Sequence, residues 1–145
     1  MGFGFGGIPH YHPDCRGHAM HDFTLNGKRS PLISGLDGLI DEYRRACKET
    51  TLWGPTFFSL VLERVLKHME INVSSPMYHI LLFLTDGNIH DLRETVDCMV
   101  KCSNFPLSII IVGIGDGDFS SMEFLDGDDI MMVDGQGQEA KRDIC

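Results

Sequence analysis

Hydrophobic and polar positions alternate with two different rhythms along this chain. From Ile80 to Thr85 and from Leu107 to Gly113 (LSIIIVG) the residues are almost continuously apolar and rich in Ile, Val and Leu. Short runs of this kind predict strands of a parallel sheet, covered on both faces by helices. Between them, DLRETVDCMVKCSN places Leu92, Val96, Met99 and Val100 on one helical stripe, and Asn104 and Pro106 close it. The pattern is a strand–helix–strand unit. Upstream, LDGLIDEYRRACK repeats Leu36, Leu39, Ile40, Tyr43 and Cys47 at intervals of three and four, which predicts an amphipathic helix with that stripe buried. PTFFSLVLERVLKHME predicts a second helix, with Pro55 in its first turn and Phe58, Val61, Leu62, Val65 and Met69 inward. Phe57, Leu60 and Leu66 widen that stripe, so the helix should be heavily covered. Phe3–Phe5 and Phe23–Leu25 read as short strands joined by a polar loop, and the tail IMMVDGQGQEAKRDIC as a short strand, a turn and the beginning of another element.

This alternation predicts an α/β fold: a doubly wound, mostly parallel sheet flanked by helices. With 145 residues and 43% hydrophobic content, the chain is of the size of one compact domain, residues 1–145. A net charge of −9 argues against nucleic-acid binding, which needs a basic face to displace counterions. The start MGFGFGG has neither the basic flank nor the apolar core of a signal peptide, and Gly6 stands where myristoylation wants Ser or Thr. Cys145 forms no prenylation box, and no apolar run approaches the ~20 residues of a membrane span. Five cysteines, an odd number, suggest reduced thiols and a cytoplasmic setting. Cys98 and Cys102 read as ordinary residues of a helix face.

In open α/β sheets, ligands bind beyond the carboxyl ends of the strands. Asp86 stands there, directly after the apolar run, with Gly87 allowing a sharp exit or a positive φ. The plainer reading is that its carboxylate caps a turn or the following helix. Thr56, at the head of the second predicted helix, reads locally as an N-cap. Together an Asp and a Thr at strand-end loops also make half of a hard-cation site, since magnesium wants oxygen ligands and keeps several waters.

The segments FGFGGIP, HDFTLNG, GLDGLIDEYRRA, LWGPTFF, YHILLFLTDGNIHD, FPLSIIIVGIGDGDFSSMEFLDGDD and AKRDI follow one another as in the copine branch of von Willebrand factor type A domains. The chain resembles that family over nearly its whole length. The resemblance implies a doubly wound sheet with a metal-ion-dependent adhesion site, fed by three loops. Thr56 of GPT matches the second-loop ligand and Asp86 of LTDG the third. The first motif, Asp-x-Ser-x-Ser, precedes FGFG in the family and has no counterpart here. Asp22, Thr24 and Asn26 imitate it, but their place matches the family's short hairpin partner strand. The family's last strand would begin where this chain ends. The resemblance therefore implies a partial domain, with edges and apolar faces left open by the absent first strand. Such a chain is expected to be unstable, to aggregate or to borrow a strand from a partner.

These implications define the expected function: a non-enzymatic protein-interaction module of a calcium-dependent phospholipid-binding family. The cation would be magnesium, or calcium or manganese, held weakly because the first-loop ligands are missing. The partners would be proteins. A phospholipid membrane enters only indirectly, through paired lipid-binding domains that copines carry ahead of this one, which would put the protein at the plasma membrane peripherally. Two rivals stand beside this. One is a small α/β hydrolase or phosphotransferase using Asp86, for which His90 is the nearest base; the other is an inactive truncated product.

Two other clusters point less firmly to a metal. His10, His12, Cys15, His18 and His21 have zinc-type donors but no zinc-finger spacing, and a solvated loop is the better reading. Asp116, Asp118, Asp126, Asp128 and Asp129 invite calcium. An EF-hand counted from Asp116 would need Gly at 121 and Glu at 127, where Ser121 and Gly127 stand, so solvated turns are expected.

Overall fold

A computed structural model describes residues 1–87, 89–126 and 131–145. The chain divides into two compact units, Met1–Val61 and Leu62–Cys145. It is a mixed α/β structure whose described strands form three two-stranded sheets, one of them parallel. The wide, mostly parallel sheet expected from the sequence is thus represented by a single parallel pair.

In the first unit, β1 (Phe3–Gly4) pairs antiparallel with β3 (Phe23–Thr24), and β2 (Gly7–Pro9) with β4 (Thr50–Leu52). Both expected N-terminal strands are present. The β1–β3 pair closes tightly because Gly4 has no side chain: a Cβ there would run into the ring of Phe23. Between β3 and β4 runs α1 (Gly35–Glu49), with Asp37 in its first turn and Lys48 in its last, both favourable to the helix dipole.

The orientation of α1 reverses the expectation. Leu36, Leu39, Ile40, Tyr43 and Cys47 are all exposed, and Ala46 is the helix's one buried residue. The inward side is polar. Arg45 donates to the Leu25 carbonyl (3.2 Å) and to Glu42 (2.7 and 2.9 Å), and its guanidinium lies 4.3 Å from the Tyr11 ring centroid. The backbone amide of His10 donates to the Glu49 carbonyl at the end of the same helix (2.9 Å). The stripe that periodicity predicts is there, but hydrogen bonding and cation–π stacking decide which side faces the unit.

The helix α2 (Ser59–Ile71) crosses the division between the units. It starts four residues later than Pro55, and the Gly54–Pro55 peptide is cis and lies in the preceding loop. Pro55 is therefore not a first-turn residue. Phe58, Val61, Leu62, Val65 and Met69 are buried as expected, whereas Leu60 is exposed.

The second unit holds β5 (His79–Thr85), α3 (Leu92–Cys102), β6 (Leu107–Gly113) and α4 (Ser120–Leu125). β5 and β6 pair parallel over their full length, from His79 opposite Leu107 to Thr85 opposite Gly113. This confirms the strand–helix–strand unit. α3 buries Val96, Met99 and Val100 along with Cys98 and Cys102. The tail is laced to this unit: Ile109 N–H donates to the Ile144 carbonyl (2.6 Å), Lys141 N–H to the Ser103 hydroxyl (2.8 Å), and Arg142 to the carbonyls of Phe105 and Leu107. Val133 and Glu139 make an isolated antiparallel bridge across a turn, so the expected turn is present while the expected strand is reduced, among the described residues, to that single bridge.

The two faces of the parallel pair differ sharply. Phe83, Thr85, Leu107 and Ile109 are buried on one face. On the other, Ile80 (69% exposed), Leu82 (53%), Leu84 (51%), Ile110 and Val112 lie open to solvent. The expectation of cover on both faces is corrected: one face is core and the other is a bare apolar surface.

Candidate metal-binding site

Asp86 follows β5 at its carboxyl end and is exposed, directly above the buried Thr85. Among the described residues no hydrogen bond or ion pair holds its carboxylate. The turn is closed by its neighbour instead. The Thr85 hydroxyl donates to the Gly87 carbonyl (3.2 Å), with the Gly87 amide 3.5 Å from the same oxygen. Gly87 is nearly extended (φ 159°), so the sharp exit owes more to the threonine than to the glycine.

The plainer reading of Asp86 does not hold for the helix that follows. The N-cap position of α3 belongs to Asp91, which accepts a hydrogen bond from the Thr95 hydroxyl (3.3 Å). Asp86 lies five residues earlier and is exposed, with no partner for its carboxylate among the described residues.

A second loop shapes the site. The Ile114 amide donates to the Thr85 carbonyl (2.8 Å), carrying the chain from β6 past the end of β5. Gly117 then comes so close to the Asp86 carbonyl that a Cβ there would overlap it. Nothing in the sequence hints at this contact beyond a glycine among acids. Asp118 next to it is engaged: its carboxylate accepts from the Ser120 amide (3.0 Å) and hydroxyl (2.6 Å) as α4 begins. That helix stands where the sequence pattern leads to an expectation of solvated turns. The Asp-Phe-Ser spacing of 118–120, in which Asp118 makes an Asx-type turn to the Ser120 amide just ahead of the helix, is the signal that could have found it. Asp128 and Asp129 lie outside the described residues.

Thr56 belongs to the first unit and is half-buried in the loop between β4 and α2. It stands three residues ahead of Ser59, so it is a loop residue and not the helix cap. The loop is fastened to the N-terminal strands. Trp53 N–H donates to the Gly6 carbonyl (3.0 Å), the Phe58 ring meets Phe5 edge-on at 5.3 Å, and the Phe57 ring lies 4.5 Å from His21. Gly6 faces the Thr56 hydroxyl.

The Asp86 carboxylate and the Thr56 hydroxyl are each a hard oxygen of the type magnesium, calcium or manganese accepts, and neither alone encloses an ion. Among the described residues no group of three or more His, Cys, Asp or Glu is gathered to hold a metal. The histidine loop follows suit. His12 is buried, with one ring nitrogen 3.1 Å from the Thr24 hydroxyl and the other accepting from the Asp14 amide (3.2 Å). His10 bonds to the Thr51 hydroxyl (2.9 Å). The imitation of the first motif is structural too: Thr24 donates to the Lys28 carbonyl, and Asn26 bonds Lys28, Ser30 and Leu32.

The thiols divide by burial. Desolvation, followed by the neighbouring Cys98 and Glu70, pushes the Cys102 thiol up to about 12, and burial also raises Cys98. Both thiols are therefore protonated and shielded from solvent at neutral pH. His90, the base named for the enzymatic rival, is exposed. No described helix is long and apolar enough to cross a membrane.

Two comparisons bear on this arrangement. The family model described as Copine matches residues 1–145. Copine-C of Dictyostelium discoideum is 38% identical over 98% of the chain, which spans only 26% of that protein. The chain thus corresponds to about a quarter of the relative's length. Matched along its entire length, the chain belongs to the copine family.

Proposed function

We propose that this chain is a non-enzymatic protein-interaction module of copine type, belonging to a doubly wound von Willebrand factor type A-like domain. In this reading Thr56 and Asp86 offer oxygen ligands to a divalent cation, and a carboxylate of the partner protein supplies another. The observation that carries it is the Asp86 carboxylate, exposed and unengaged among the described residues at the carboxyl end of a parallel strand, while the Thr85 hydroxyl closes the turn. A capping aspartate would be tied to backbone amides. A carboxylate held clear of them keeps its lone pairs for a ligand.

The cation is magnesium, or calcium or manganese, all of which take hard oxygens. With two protein ligands the remaining positions go to water and to the partner, so binding by the chain alone is weak. The partners are proteins. Nucleic acid is disfavoured by the net charge of −9. Phospholipid is reached only through other domains of a longer product, with the protein cytoplasmic and peripheral at the plasma membrane.

Manganese titration followed by electron paramagnetic resonance tests the reading, because bound and hexaaquo ions are separated directly. The chain is expected to take up manganese at a dissociation constant of roughly millimolar, as sites with few charged ligands do. Asp86→Ala is expected to weaken uptake about tenfold or more without changing the circular dichroism. Unchanged uptake in Asp86→Ala would remove Asp86 from the site.

A further inference from the structure

Asp86 is pressed from outside its own strand by a loop of the same unit. Gly117, between β6 and α4, faces the Asp86 carbonyl. A Cβ at 117 would overlap that carbonyl oxygen and stand 3.0 Å from its carbon and 3.1 Å from the Cα of Gly87. All three neighbours are backbone, so no flexible side-chain end is there to give way. Gly117 does not have a positive φ, so its value lies in the space it leaves and not in its backbone conformation. The neighbouring glycines differ. A Cβ on Gly87 would meet residues 117 and 118 at 3.8 Å, an ordinary contact, and one on Gly115 would meet nothing within 4 Å.

Both sides of the contact are held. The Ile114 amide ties the start of the loop to the Thr85 carbonyl (2.8 Å). The Phe119 ring closes the other end over Gly113, where a Cβ would meet the ring at 2.7 Å. Asp118 then accepts from the Ser120 amide as α4 begins (3.0 Å). On the facing side, the Thr85 hydroxyl donates to the Gly87 carbonyl (3.2 Å), so the peptide between Asp86 and Gly87 is not free to swing by itself.

We propose that Gly117 is a positioning residue for the Asp86 carboxylate: its bare Cα lets the β6–α4 loop serve as the stop on which the end of β5 rests. It rests on the reading of Asp86 as a cation ligand. A methyl group at 117 would drive the Asp86 carbonyl back by roughly 1 Å before an ordinary carbon–oxygen contact is restored. With Gly87 tied through Thr85, that displacement passes to the Cα of Asp86 and to its carboxylate. Metal–oxygen distances hold within about 0.2 Å, and a working site holds its groups within about 0.5 Å. A carboxylate moved by more than this no longer meets an ion that other oxygens also hold.

The test is manganese uptake by the 145-residue chain, followed by electron paramagnetic resonance. Gly117→Ala is expected to weaken uptake about tenfold, the usual cost of losing a group that supports a metal ligand, and no more than Asp86→Ala does, with unchanged circular dichroism. Gly115→Ala is the control. Gly115 has a φ of 88° and open space around it, so this substitution strains the same loop without pressing on Asp86. It is expected to leave uptake within about twofold of wild type, the scatter of independent sites. In the Asp86→Ala background, Gly117→Ala should have no further effect, because the carboxylate it positions is gone. Unchanged uptake in Gly117→Ala, an equal loss in Gly115→Ala, or an additive loss in the double variant overturns the proposal and leaves the reading of Asp86 standing. A wild-type chain that takes up no manganese, or an Asp86→Ala variant equal to wild type, overturns both. If Gly117→Ala loses its circular dichroism, Phe119→Ala takes its place, releasing the loop by removing the ring over Gly113, and the same outcomes decide.

Discussion

α1 and α3 are written in the same code and used in opposite ways. Both repeat apolar residues at three- and four-residue spacing, and both carry cysteines on or beside the stripe. In α3 the stripe is core: Met99 is 1% exposed and Cys102 is fully buried. In α1 the equivalent stripe faces water, with Leu36 70% exposed. Periodicity states that a helix has an apolar side. It does not state what covers it, because the competing anchor in α1, Arg45 reaching Leu25 and Tyr11, is a long-range arrangement, and only the Glu42 pair that steadies the guanidinium is local.

The contrast is sharpest under truncation. Met99→Ala in α3 removes a side chain from a close-packed interior and leaves a cavity. It is expected to cost about 2–5 kcal/mol of unfolding free energy. Urea denaturation at a concentration where the chain is monomeric measures it. A cost below about 1 kcal/mol, the level of an ordinary surface change, would place Met99 in a looser environment than its burial indicates.

The fold is legible where local pattern and burial coincide. His79–Thr85, Leu92–Cys102 and Leu107–Gly113 are readable because a run of Ile, Leu and Val has few alternatives to a parallel strand, and the helix between them must cross over. The breadth of the sheet is not readable, since strand pairing depends on partners far along the chain. The start of α2 departs from the expectation because Pro55 suits a helix's first turn as well as a loop, and only the surrounding contacts of Trp53, Phe57 and Phe58 choose. At the candidate site, the place of Asp86 at a strand end is legible from the run preceding it. The Thr85 turn and the approach of Gly117 are not, being backbone geometry that composition does not encode.

The thiol of α3 gives a second measure of the same burial. Desolvation raises Cys102 from the ordinary thiol value of 9.0 to about 12. Below pH 9 the thiol is protonated in the folded and unfolded chains alike, and burial carries no ionisation penalty. Above it the unfolded chain releases the proton first, so the unfolded state binds fewer protons and stability falls with pH until the folded thiol ionises near 12. The slope is up to about 1.4 kcal/mol per pH unit. Comparing the wild-type chain with Cys102→Ala isolates this group: the wild type's advantage is expected to shrink between about pH 9 and 11. A constant difference would mean that the thiol reaches solvent more freely than α3 allows.

The smallest effect is expected on α1, and it is the one that decides whether the comparison is real. Leu36→Ala removes as many carbons as many core truncations do, yet the side chain is 70% exposed. In the monomer little apolar area returns to water, and Ala is the better helix former by a few tenths of a kcal/mol. The two contributions oppose each other, so the unfolding free energy should move by no more than about 0.5 kcal/mol in either direction. Dilution matters to this measurement, because any partner on the stripe would add its own binding energy to the apparent stability. A loss of about 2 kcal/mol or more, the scale of a core truncation, at a dilution where sedimentation shows only monomer would mean that the stripe is covered by the chain's own residues. α1 and α3 would then be two core helices and not a contrasting pair.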